Sequence, residues 1–118
     1  DGLKTINDRL GHENGDIAIR RLAEILRATF RASDVIARLC GDELAVLAYD
    51  AGERGLSVAL DRLRGSVAAS PAIGAYPLAC SIGFSILAPG ATRSLDDLLA
   101  DADARMYEEK RARKAAAE

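Results

Sequence analysis

Asp42 and Glu43 stand side by side in the short polar link Cys40-Gly41-Asp42-Glu43. Neighbouring carboxylates at a turn repel each other unless water or a cation screens them. Such an oxygen pair suits Mg2+, which usually takes one or two carboxylates and completes its shell with water and substrate phosphates. A solvated acidic turn is the commoner occurrence, so the pair alone leaves both readings open. Asn7, Asp8, His12 and Asp16 crowd a second polar stretch. Asp accepts from ring N–H and amino donors and Asn offers both polarities, so this set could read a base edge. The same residue types form turns and helix caps, and Asp16 is placed to cap a helix. His12 is the only histidine and has no Cys or His companion at ligand spacing. It is therefore a poor zinc ligand, and anchoring a loop suits it better than acid–base work. Arg31 and Asp34 are three apart; they make either a weak helix-end ion pair or an anion site in which the arginine fork holds phosphate or a guanine edge. Lys110, Arg111, Arg113 and Lys114 cluster near the C-terminus, where cations complement a helix dipole or bind phosphate.

Periodicity indicates the elements that must position these groups. Residues 5–14 read as a short helical turn followed by a loop. A helix follows over residues 16–30, with Ile19, Leu22, Leu26 and Phe30 on one stripe. Two β-rich runs, residues 35–39 and 44–49, flank the Cys40–Glu43 link as a hairpin, with Gly41 free to take positive φ. Asp50, Ala51 and Gly52 break the second run. Residues 53–69 form another helix on Leu56, Leu60, Leu63 and Val67. Pro71, Gly74 and Pro77 mark a loop. Residues 78–87 alternate apolar and small residues as a long strand should, and Pro89-Gly90 ends it. Ser94 caps a last helix, with Asp97 three positions on, and the helix runs to about Lys114. Hairpin-connected strands cannot all be parallel. The fold class is thus α/β in the α+β sense, a mixed and largely antiparallel sheet flanked by helices.

The chain has 118 residues, enough for one domain, and its net charge of 16 − 18 = −2 gives no reason to expect nucleic acid or an anionic membrane as partner. No apolar run reaches the ~18 residues a transmembrane helix needs, and no signal-peptide pattern opens the sequence. Two cysteines, Cys40 and Cys80, make no disulfide framework, so a reduced, cytoplasmic setting is expected, any membrane anchorage coming through other domains. The first residue is Asp1 rather than Met, and the sequence reads as a portion of something longer.

Taken together, these pieces resemble the GGDEF domain of diguanylate cyclases. The matching text is residues 1–12, Gly15-Asp16, residues 34–44, Ser81-Ile82-Gly83-Phe84-Ser85 and residues 102–110, in the family's order and over nearly the whole chain. The resemblance implies a palm-like nucleotidyl cyclase fold with its N-terminal portion missing, so that residues 1–118 form one partial domain. It implies a transferase of bacterial signalling, a nucleotidyltransferase that joins two GTP molecules into cyclic di-GMP and releases pyrophosphate. Each protomer would bind one GTP, and the active site would form in a homodimer. Asn7 and Asp16 would bond guanine. Asp42 and Glu43 would be catalytic and hold Mg2+, with Mn2+ as a substitute. Gly41 would let the backbone pass close to the nucleotide, and Lys4, Lys110 and Lys114 would touch phosphates. Arg31-Ala32-Ser33-Asp34 lies five residues before Cys40, the family's spacing for a product-inhibition site, with Arg62 as a further arginine.

The sequence departs from the pattern at Cys40, where the family has its first Gly, and at Leu44 and Leu3, where it has Phe. The family's other metal-binding Asp would lie two residues before Asp1. The usual Gly-Arg-Asn and final strand are replaced by residues 113–118. Weak or absent turnover is therefore expected of residues 1–118 alone, even within an active parent. A degenerate module that binds GTP or cyclic di-GMP as a regulator is the alternative.

Overall fold

One residue, Gly11, separates α1 (Leu3–Leu10) from α2 (His12–Thr29) in the computed structural model, which describes residues 2–48 and 52–117. Gly11 sits at φ 90, a conformation that costs glycine little, and its N–H donates to the Asn7 carbonyl at 3.0 Å to close α1. The Asn14 amide donates back to the Leu10 carbonyl at 2.8 Å, so a side chain from α2 satisfies an orphan acceptor of α1. The helical turn and loop expected over residues 5–14 are thus a helix, a one-residue break and the start of another helix. Asp16 and His12 change place accordingly. Asp16 lies inside α2 rather than capping it, and His12 is the exposed first residue of α2 rather than a loop anchor.

The apolar stripe of α2 packs as its spacing requires: Ala18, Ile19, Leu22 and Leu26 are buried, with Ile6 of α1 and Leu63 and Val67 of α3 (Gly52–Ala69). Each such leucine, isoleucine or valine contributes about 1.5–3 kcal/mol on full burial. Ile73 and Leu78 complete this core. They are held by a small turn in which Ile73 and Tyr76 exchange backbone bonds of 2.7 and 3.0 Å, and by the Arg21 guanidinium, which donates to the Pro71 carbonyl at 2.7 Å.

The sheet among the described residues has two antiparallel strands, β1 (Val35–Cys40) and β2 (Glu43–Leu47). Val35 pairs with Leu47, Ile36 with Val46, Ala37 with Ala45 and Arg38 with Leu44; Cys40 then meets Glu43, so the ladder is irregular at Leu39. Ile36 and Val46 are half-buried, while Val35, Leu39 and Leu47 are exposed. Tyr49, Asp50 and Ala51, read above as the strand's end and the break, lie outside the described residues.

The chain divides into two compact units, Asp1–Ala79 and Cys80–Glu118. The second unit is residues 80–94, which form no helix or strand ladder among the described residues, and α4 (Leu95–Ala117). Ser94 does cap that helix, its hydroxyl accepting from the Asp97 N–H at 3.0 Å. The strand expected over residues 78–87 is not one: no ladder joins it among the described residues. Side chains of α4 bond to several of its backbone groups. Arg113 donates to the Cys80 carbonyl, the Ile82 N–H donates to the Glu109 carboxylate, Arg105 donates to the Phe84 carbonyl at 2.8 Å, and the Ser85 hydroxyl donates to the Leu98 carbonyl at 2.7 Å. The match is geometric. Two extended residues advance roughly 6.6 Å and four helical residues roughly 6.0 Å, so positions 80, 82 and 84 keep step with 113, 109 and 105. Gly83 lets the segment lie directly on the helix, because a Cβ there would fall 2.9 Å from the Met106 Cα and closer still to backbone atoms of Ala102 and Met106.

Candidate functional site

The hairpin tip carries the acidic pair. Gly41 adopts φ 38, and Asp42 follows it, exposed in the turn. The Arg38 Nε donates to the Gly41 carbonyl at 2.8 Å. Asp42 lines a small, shallow hollow, open to solvent, whose walls include Leu3 and Ile6 of α1, Ala18 and Ile19 of α2, and Leu78. It is the one charged residue on that lining among the described residues. Glu43, one residue on, begins β2, is half-buried and is engaged in an interaction of its own.

Helices α1 and α2 hold the predicted nucleotide-binding residues Lys4, Asn7 and Asp16. Lys4 is exposed on α1 beside Leu3. Asn7 is half-buried, and its amide lies against Gly15 of α2: a Cβ on Gly15 would stand 2.8 Å from the Asn7 Cγ and would overlap its Oδ1. Asp16, next along α2, is exposed. Gly15 and Arg38 are the positions that reading the residues one by one missed. A glycine inside a helix costs roughly 1 kcal/mol against alanine, and that cost was the available signal of a close approach.

Among the described residues no group of three or more His, Cys, Asp or Glu is placed to hold a metal. The donors present are the carboxylates of Asp42 and Glu43. That set fits Mg2+, which draws most of its shell from water and phosphate, and does not fit a closed all-protein cage.

Arg31 and Asp34 form a closed turn. The Arg31 N–H donates to the Asp34 carboxylate at 2.9 Å, the Asp34 N–H donates to the Arg31 carbonyl at 2.9 Å, and the guanidinium Nε stands 3.9 Å from the same carboxylate. The Asp34 side chain is 2% exposed and that of Arg31 59%. The acid is thus built into the turn, and the arginine reaches into solvent. Arg62 is exposed on α3. Lys110 and Lys114 are exposed on α4, in the unit Cys80–Glu118. No helix among the described residues is long and apolar enough to cross a membrane.

Comparison with known proteins bears on what such a site does. The family described as diguanylate cyclase, GGDEF domain, matches residues 1–116. The chain is 34% identical over 111 residues to the bifunctional diguanylate cyclase/cyclic di-GMP phosphodiesterase MucR of Pseudomonas aeruginosa, covering 93% of this chain and 16% of that protein. It is 32% identical over 114 residues to the diguanylate cyclase DgcP of Escherichia coli, covering 94% of this chain and 33% of that protein. It is also 32% identical over 112 residues to NbdA of Pseudomonas aeruginosa, named a cyclic di-GMP phosphodiesterase, covering 93% of this chain and 14% of that protein. The chain therefore spans a third or less of each of these relatives. Among solved structures, the GGDEF domain of TpbB (YfiN) from Pseudomonas aeruginosa superimposes with a TM-score of 0.76 at 34% identity, covering 95% of this chain and 67% of that one. An EAL/GGDEF domain protein from M. capsulatus gives the same TM-score of 0.76 at 30% identity, covering 95% of this chain and 74% of that one.

Proposed function

The chain belongs to the GGDEF family of diguanylate cyclases, and from that premise we propose that it forms the part of a working cyclase that binds GTP and condenses two such molecules into cyclic di-GMP. The observation that carries the reading is Asp42, set by the hairpin at the lip of a hollow walled by α1 and α2, with Asn7 and Asp16 at the corner of those same helices.

The reaction is nucleotidyl transfer. The ribose 3′-oxygen of one GTP attacks the α-phosphorus of the other, pyrophosphate leaves, and the same exchange in the opposite sense closes the ring. Such chemistry depends mainly on positioning and on stabilising charge. Asn7 and Asp16 orient guanine. Lys4 from α1, and Lys110 and Lys114 from α4, neutralise the triphosphate. Asp42 and Glu43 hold Mg2+, which when bound offsets phosphate charge and makes the 3′-hydroxyl easier to deprotonate. Two protomers each bring one nucleotide, so the acting species is a homodimer. Arg31, with Asp34 and Arg62, forms the site where cyclic di-GMP binds back and inhibits.

A binding module without turnover is the second reading. Cys40 and Leu44 in the signature favour it, as does the likeness to NbdA, whose name carries only the phosphodiesterase. One experiment separates the two. In the full-length protein, Asp42→Ala should lower cyclic di-GMP formation from GTP and Mg2+ by at least about a hundredfold, since it removes a ligand of the charge-stabilising metal. Its melting temperature should stay within about 2 °C of wild type, because an exposed turn residue carries little of the folding energy. An unchanged rate would leave only the binding role.

A further inference from the structure

The Gly41 carbonyl lies outside the β1–β2 ladder, at the tip of the hairpin. Arg38 reaches it from β1, past the irregularity at Leu39, with a bond of 2.8 Å from Nε. A peptide group is planar, so a carbonyl held on one side fixes the N–H on the other. The N–H paired with the Gly41 carbonyl is that of Asp42. At φ 38, Gly41 has a backbone that glycine enters readily and does not hold unaided. Arg38 is exposed and faces Leu44 across the ladder, so filling a core does not account for it. This bond is made to a carbonyl, so the guanidinium brings positive charge to the tip while its Nε proton occupies no carboxylate oxygen.

We infer that Arg38 is a positioning residue for the metal-and-nucleotide turn: its guanidinium locks the Gly41–Asp42 peptide and so fixes the direction in which Asp42 presents its carboxylate. The inference rests on the cyclase reading above for its consequence in turnover, and on the turn geometry alone for its consequence in metal binding.

The test compares wild type, Arg38→Met and Arg38→Lys in the full-length protein. Losing a charged donor to a carbonyl that orients a ligand should cost roughly tenfold in kcat and roughly tenfold in the Mg2+ concentration giving half-maximal rate. The KM for GTP should move by less than about threefold, because the guanine and phosphate contacts are untouched. Lysine keeps the charge and can donate to the same carbonyl, so Arg38→Lys should recover most of the loss. Mn2+ binding, followed by water-proton relaxation without nucleotide, gives a readout that needs no turnover. Weaker Mn2+ binding by Arg38→Met upholds the inference even if wild type makes no cyclic di-GMP, an outcome that would sink only the cyclase reading. Equal Mn2+ binding by Arg38→Met and wild type overturns the inference. A uniform fall in kcat, melting temperature and GTP affinity, the same for methionine and lysine, also overturns it, since that pattern belongs to general loss of structure.

Discussion

Gly15 owes its importance to what lies against it. Its missing side chain leaves the space that the Asn7 amide occupies, and the amide is the end of a flexible side chain rather than fixed backbone. Gly15→Ala should therefore leave stability within about 1 kcal/mol of wild type, the helix gain from alanine offsetting the displaced contact. Guanine recognition should suffer instead. GTP affinity measured by calorimetry should fall about tenfold, the size of one lost charged or bidentate hydrogen bond. Unchanged affinity would remove Asn7 from the nucleotide site. A similar separation applies at the arginine turn. The Asp34 carboxylate is held partly by the backbone N–H of Arg31, which survives any substitution of the side chain. Arg31→Ala should thus keep the turn and the GTP affinity while weakening cyclic di-GMP binding by about tenfold or more, read by titrating product against the full-length protein. Asp34→Ala is the poorer probe, because it would open the turn as well. Equal product affinity in wild type and Arg31→Ala would rule this site out.

At the scale of elements, residues 80–94 and α4 belong to one unit, and Gly83 lies against the helix backbone. A methyl group there meets helix backbone, which cannot step aside as a side chain can. Gly83→Ala should destabilise by about 1–3 kcal/mol, the usual range for overpacking, seen as a lowered urea midpoint at constant m-value. A midpoint unchanged within error would mean that the segment does not lie on α4 as described. This unit also shows where the sequence is silent. Alternation over residues 78–87 predicts a strand, but period-two spacing does not carry the identity of a partner. The same limit applies at Gly11. Asn7, Asp8, His12 and Asn14 are turn-forming types, so the stretch read as a loop; one glycine at φ 90 and the Asn14 bond to Leu10 instead join two helices directly. Elements with strong local signals were legible. The stripe Ile19, Leu22, Leu26 lies in α2, and the hairpin tip falls where Gly41 permits. Of the candidate site, Asp42 stands out by residue type, and Asn7 and Asp16 by family resemblance. The roles of Gly15 and Arg38 depend on atoms several residues away and could not be read from type or spacing.

The proposed reaction needs two protomers. No large side chain among the described residues is fully buried, and Val35, Leu39, Leu47 and Tyr107 are exposed. Surface of this kind is ordinary singly and significant where contiguous, so exposure alone does not locate the dimer contact. Stoichiometry is a better guide. Cyclic di-GMP has two phosphodiester links, and if each protomer activates its own GTP, then both must be competent for the ring to close. That requirement sets the outcome of mixing. When wild type and Asp42→Ala are equilibrated in equal amounts, random pairing makes about one quarter of the twofold dimers wholly wild type. Cyclic di-GMP formation should then fall to about one quarter of that given by the same total of wild type, whereas protomers acting independently would retain about one half. The measurement is an initial rate after subunit exchange, with the dimeric mass checked by light scattering at the same concentration. A ratio of one half in a sample that is dimeric throughout would show that each protomer completes the product unaided, and the two-protomer mechanism would have to be given up. A ratio of one quarter, together with the linear dinucleotide intermediate accumulating in the mixture, would place one nucleophile-activating Asp42 on each side of the product.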